Sequence, residues 1–109
     1  MNLDFENIKE AEIKNFYNGE GSIFAKMFVD ELNRIMKGRI PAKSSIGLHT
    51  HVTSSEIIFV LEGRGIIICD NEEQIVGPGS VHYCKKGSSH TFINPNDEDI
   101  VIYAVVPNQ

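Results

Sequence analysis

Apolar and polar residues alternate along most of the chain, broken at short intervals by turn formers, and this pattern predicts strands. It opens at 22–30, built around Ile-Phe-Ala-Lys-Met-Phe-Val, and continues at 33–40, where mixed polarity suits a half-exposed strand. A connection, Pro41-Ala42-Lys43-Ser44-Ser45, follows. Further short strands are predicted at 46–51, 56–61, 66–70, 73–76, 80–84, 89–94 and 99–106. The breaks hold Gly63 and Gly65, Asp70-Asn71, Gly77-Pro78-Gly79, Gly87 and Asn94-Pro95-Asn96-Asp97, residue types that favour turns. Short strands at such regular spacing argue for an all-β sandwich or barrel. Residues 1–20 are less decided. Ile8, Ala11 and Ile13, with Phe16 and Tyr17 behind them, fit one short helical turn or an irregular edge segment, and Asn18-Gly19-Glu20-Gly21 is a break. We read one domain over 1–109, with an N-terminal segment 1–21 and a barrel over 22–106.

The chemistry-bearing residues gather in 47–63. His49 and His51 lie two apart, so on a strand both imidazoles project from one face. Thr53-Ser54-Ser55 reads as a turn, after which a strand opening at Glu56 returns its carboxylate beside them. Ile57-Ile58-Phe59-Val60 predicts a strand buried on both faces, where an unpaired Glu56 carboxylate would be costly. Two imidazoles and a carboxylate form most of a divalent-metal site. His90, which starts a strand-like run after the turn at 86–88, is the candidate for the missing donor.

The spacing is also that of a known family. His-x-His, four residues, Glu, six residues, Gly covers His49 to Gly63; Gly, seven residues, Gly, two residues, His, three residues, Asn covers Gly79 to Asn94; fifteen residues separate the two. In these motifs the chain resembles a small single-domain cupin. It departs from the pattern at Lys43, where the first motif has Gly, and at Lys85, where the second has Pro. The resemblance implies a double-stranded β-helix, or jelly-roll barrel, with His49, His51, Glu56 and His90 around one divalent transition metal (Fe, Mn, Ni, Co or Zn). It implies a metal-dependent enzyme of isomerase, lyase, decarboxylase or dioxygenase type, acting on a small oxygenated metabolite such as a sugar derivative or organic acid. The alternative is a non-catalytic small-molecule-binding or sensory cupin. A homodimer is common among proteins of this kind.

The remaining residues have plainer readings. His82 falls outside both ligand positions, so we expect an outward or hydrogen-bonded imidazole whose loss leaves metal content unchanged. Cys69 and Cys84 end apolar runs and read as reduced, small buried hydrophobes; only Lys85-Lys86 beside Cys84 would favour a reactive thiol. Asn94 is expected to bond backbone at a strand end, and Phe59, Tyr83, Phe92 and Tyr103 to line core or cavity. Lys26, Arg34, His82, Tyr83 and Tyr103 are the candidates for a second catalytic group beside the metal. The net charge of −5, without a cluster of Lys and Arg, argues against nucleic acid as a partner. No stretch approaches the roughly 20 apolar residues that span a bilayer, and the N-terminus lacks a basic start and apolar run, so we expect a cytoplasmic protein.

Overall fold

A computed structural model describes residues 1–109. Ten strands follow one another: β1 (Ala11–Lys14), β2 (Ser22–Val29), β3 (Asn33–Ile40), β4 (Ser45–Thr50), β5 (Glu56–Glu62), β6 (Gly65–Cys69), β7 (Glu72–Val76), β8 (Val81–Cys84), β9 (Ser89–Ile93) and β10 (Ile100–Pro107). They form two antiparallel sheets, a six-stranded one in the order β1-β2-β3-β10-β5-β8 and a four-stranded one in the order β4-β9-β6-β7. Consecutive strands repeatedly sit in opposite sheets, the jelly-roll arrangement expected from the strand pattern and the motifs.

The core lies between the sheets and follows the period of two along each strand. In β10, Ile100, Ile102, Ala104 and Val106 point inward and are buried, while their neighbours are half-exposed. Ile23, Ile40, Ile58 and Ile67 join them from four other strands, so branched side chains fill most of the interior. Asn94 closes one end. Its Nδ2 donates to the carbonyls of Ile40 (2.9 Å), Pro41 (3.1 Å) and Glu98 (2.7 Å), and its Oδ1 accepts from Asn96 N, tying the 41–44 connection to the 94–98 turn.

Three expectations are refined or corrected. Residues 11–14 lie at the sheet edge, as one of the two readings had it, but as a regular strand paired in register with β2 (Ala11↔Ala25, Ile13↔Ile23) and flanked by 3-10 turns at Phe5–Asn7 and Phe16–Asn18. Too few apolar positions alternate there to signal a strand; pairing with β2 selects it. Second, β5 is buried on one face only. Glu56, Ile58 and Val60 point inward, whereas Phe59 is 42% and Leu61 40% exposed. Nothing covers the outer face of the six-stranded sheet there, and for the same reason Tyr83 on β8 faces solvent rather than the core. Third, Tyr103 is no cavity residue: it packs its ring against Phe5, in a surface recess that Lys26 also lines.

Candidate metal centre

His49 comes from β4, His51 from the residue after Thr50 that ends that strand, Glu56 from the first position of β5, and His90 from β9. The register of β4 against β9 sets His49 directly opposite His90. Ile46 is buried and His49 also points inward, although three residues apart, because the pairing shifts between them; the bulge resets the parity that strict alternation would impose. Backbone bonds from His51 N to Ser88 O (3.0 Å) and from Gly87 N to His51 O (2.6 Å) bring the turn before β9 against the end of β4. Gly87, at φ +91°, supplies the left-handed backbone that this turn requires.

Each imidazole is held through Nδ1. His49 Nδ1 donates to the Gly47 carbonyl at 2.7 Å, while His51 Nδ1 pairs with Ser54 Oγ and His90 Nδ1 with His82 Nε2, each at 3.0 Å and able to run in either direction with the tautomer. These bonds orient the rings and turn three Nε2 atoms inward; those of His51 and His90 donate to Glu56 in the metal-free chain and become lone pairs for a cation once the ring protons sit on Nδ1. The donors converge. His90 Nε2 lies 3.1 Å from His51 Nε2, 3.1 Å from His49 Nε2 and 3.0 Å from Glu56 Oε1, and His51 Nε2 lies 3.2 Å from Glu56 Oε1. Adjacent donors of an octahedral ion are separated by √2 times the bond length. Separations of 3.0–3.2 Å therefore correspond to bonds of about 2.1–2.3 Å, close to the ~2.0–2.2 Å of metal–imidazole and metal–carboxylate bonds. The residues present fit a divalent cation. Together they form a group of three histidines and one glutamate that could hold a metal ion.

The electrostatics agree with that use. Burial pushes the Glu56 carboxyl up, but hydrogen bonds from His51 and His90 outweigh it and hold the group at about 2. Glu56 is therefore a carboxylate at neutral pH, although it is 6% exposed. Burial lowers His49, with the neighbouring His90 adding to the effect, and it lowers His82 to about 4. Both rings are neutral and able to present a lone pair.

His82 is not outward-facing. It is buried at 7% exposure and is the partner that fixes His90, so only the hydrogen-bonded half of the expectation holds. Parity explains it: Ile58 pairs with His82 across β5 and β8, and Ile58 points inward. Cys84 is fully buried, and burial pushes its thiol up to about 12, against the lowering that the adjacent Lys85 and Lys86 would favour; both lysines are exposed.

Two residues around the donors carry further meaning. Tyr17 stacks on His49, with ring centroids 3.9 Å apart and planes within 12°. Its turn is pressed onto β4 so closely that a Cβ at Gly47 would overlap the Tyr17 carbonyl oxygen and one at Gly19 would overlap the Ser45 carbonyl oxygen. The break at 18–21 was legible in the sequence, but nothing in it placed Tyr17 over a histidine. Arg34, a sequence candidate, lines the narrow space beside His49, Glu56 and His90, and its Nε is buried with no hydrogen-bond partner. That inner space measures about 10 Å³, roughly one water, and is closed by Phe16, Tyr17 and Phe92. A wider cleft of about 390 Å³, lined by Tyr17, Arg34, His49, His51 and Thr53 among others, opens beside it to solvent.

The family model described as "Cupin domain" matches residues 36–106. Among curated proteins, the chain is 27% identical over 105 residues to the oxalate-binding protein of Thermotoga maritima, covering 91% of this chain and 87% of that one. It is 32% identical over 88 residues to an uncharacterised protein of Methanocaldococcus jannaschii, covering 76% of this chain and 70% of that one. Among solved structures, a Thermotoga maritima protein described as a predicted oxalate decarboxylase superposes at a TM-score of 0.92 with 24% identity, covering 100% of both chains. A Rhodospirillum rubrum protein described as a cupin-2 domain superposes at 0.82 with 15% identity, covering 100% of this chain and 75% of that one. These two structural likenesses speak for the fold alone.

Proposed function

The chain belongs to the cupin family, and on that premise we propose that His49, His51, Glu56 and His90 hold one divalent transition metal that anchors a small organic acid for chemistry. The observation that supports this most is the pairing of the four convergent donors with Arg34. Four protein donors on a six-coordinate ion leave two positions for ligand oxygens or water. Arg34, buried and unpartnered at Nε beside those donors, offers a charge-assisted bond to a second carboxylate. A compound with two acidic groups a few ångströms apart satisfies both ends. Oxalate, named for the Thermotoga maritima relative, is the first to test.

A bound metal would supply Lewis-acid polarisation of a substrate oxygen or an acidified water, which serves decarboxylase, lyase, isomerase and dioxygenase reactions alike. This chain's own residues orient and shield. Tyr17 and Phe16 cap the inner space, which holds no more than a water, and Arg34, which also lines the wider cleft beside His49 and His51, would fix the far end of an acid entering from there. A second reading, a non-catalytic binding cupin, is favoured by one observation. Beyond the donors, Tyr17 and Arg34 are the only titratable side chains lining the inner space, so a general acid or base has few sources.

The metal-loaded chain is mixed with oxalate and small 2-oxo acids, and binding is followed by calorimetry and product by mass spectrometry. Turnover assigns an enzyme; binding without product assigns the binder. Arg34→Gln is expected to weaken a dianionic ligand about tenfold or more with metal content unchanged. Equal affinity in that variant would remove the organic-acid reading.

We also place the chain in the cytoplasm as a homodimer. Two free cysteines suit a reducing compartment. Phe59 and Val81, cross-strand neighbours on the outer face of β5 and β8, lie exposed beside Leu61 and Tyr83, forming a strip that a second copy would cover. Light scattering of the wild type and of Phe59→Asp reads the mass.

A further inference from the structure

Behind the four donors lies a second group of metal-ligating side chains. Cys69 ends β6 and pairs with His90 across the β6–β9 ladder. Cys84 ends β8 opposite Glu56, and His82 lies two residues before it on the same face. One ligand atom from each of Cys69, His82 and Cys84 lies within 4.8 Å of the others. A tetrahedral site with metal–sulfur bonds of ~2.3 Å has donor edges of ~3.8 Å, so a contraction of an ångström or less closes the set. Access exists on one side only. Cys84 is sealed beneath, while Cys69 and His82 line a cleft of about 340 Å³ that Asp70, Glu72 and Lys85 share, so two carboxylates against one ammonium flank the way in for a cation.

We propose that Cys69, His82 and Cys84 form a second cation site, for a thiophilic ion such as Zn²⁺ or Cu⁺, whose filling opposes that of the four-donor centre. Two thiolates and one imidazole select soft cations over Mn²⁺ or Mg²⁺, and the cleft leaves a fourth position for water or a small thiol. Both S–H protons leave to solvent as the metal–sulfur bonds form. Cys84 Sγ gives up a long bond to the Ser88 carbonyl, at 3.7 Å, and its thiol contact with Cys69.

The opposition comes from His82. With the first metal bound, its Nε2 would accept the His90 Nδ1 proton, across a 3.0 Å contact, and so leave His90 Nε2 free as a donor. A cation on His82 Nε2 removes that acceptor. A cation on His82 Nδ1 requires the proton on Nε2, which then donates to His90 Nδ1 and moves the His90 proton onto its Nε2. Either way His90 becomes a poorer donor to the first ion. The second site stands on its own residues, whereas this opposition rests on the four-donor reading.

Co²⁺ serves as the probe, because thiolate ligands give it an intense near-ultraviolet charge-transfer band that imidazole and carboxylate ligands do not. In His51→Ala, which dismantles the first site, the band is expected to rise and saturate at one equivalent of Co²⁺. It should vanish in His51→Ala carrying Cys69→Ser, a half-buried position whose change the fold tolerates better than one at Cys84. No band in folded His51→Ala, or a band surviving Cys69→Ser, overturns the second site. In the wild type, the second equivalent of Co²⁺ is expected to bind at least tenfold more weakly than the same site does in the variant that retains it alone, His51→Ala or Cys69→Ser. Independent binding of both equivalents overturns the opposition. Failure of Cys69→Ser to bind any Co²⁺ would instead overturn the four-donor reading, and the opposition with it.

Discussion

Replacing His82 with alanine removes no donor from the four-donor centre, yet it should weaken metal binding there. The bond at stake is His90 Nδ1–H to His82 Nε2, 3.0 Å long, between rings 3% and 7% exposed. A buried hydrogen bond contributes about 0.5–1.5 kcal/mol net, and a buried N–H left without a partner costs about 1–3 kcal/mol. In the metal-free chain the His90 proton can sit on Nε2, toward Glu56, so His82→Ala leaves no N–H unpaired there. Metal binding then has to move that proton to an unpaired Nδ1–H. The penalty is about 1.5–3 kcal/mol, a loss of roughly 10- to 100-fold in affinity. Mn²⁺ is the ion to use, since the cysteines behind His82 have little affinity for it. Competition against a chromophoric chelator gives its dissociation constant in wild type, His82→Ala and His82→Gln. The glutamine carbonyl can accept the same proton, so His82→Gln should recover much of the loss. A folded His82→Ala chain holding Mn²⁺ within about threefold of wild type would refute this account and restore the sequence-based expectation that His82 is indifferent to metal.

Removing a donor outright, in His51→Ala or His90→Ala, should abolish most Mn²⁺ binding, read by elemental analysis after gel filtration. Gly47→Ala should lower stability by about 1–3 kcal/mol, because its Cβ would fall 2.7 Å from Tyr17 C and 2.8 Å from Gly19 N, both backbone atoms; thermal unfolding and loss of the Tyr17–His49 stacking measure it. Asn94→Ala, which strips four hydrogen bonds from a side chain 1% exposed, should cost about 2–4 kcal/mol in urea unfolding. In the metal-free chain, Glu56 titrates at about 2 when folded and near 4.5 when unfolded, so its stabilisation is complete above pH 4.5 and disappears as pH falls toward 2. Glu56→Gln should flatten that acid limb of the stability curve, and an unchanged limb would mean the histidines do not hold the carboxylate.

The alternating strands, the turn residues between them and the His49, His51, Glu56 and His90 spacing were all legible in the chain itself. A period of two reports which side chains share a face, and turn chemistry reports where a strand must end. Neighbours across sheets are a different matter. Whether β5 is covered on one face or two depends on what packs outside it, and nothing does at Phe59 and Leu61. The inward aim of His49 depends on a register shift against β9, which only pairing creates. Tyr17 over His49, Arg34 beside the donors, and His82 clasping His90 are contacts between residues 8 to 56 positions apart. No local rule reaches that far, because packing of the two sheets, rather than the propensity of any segment, brings those side chains together.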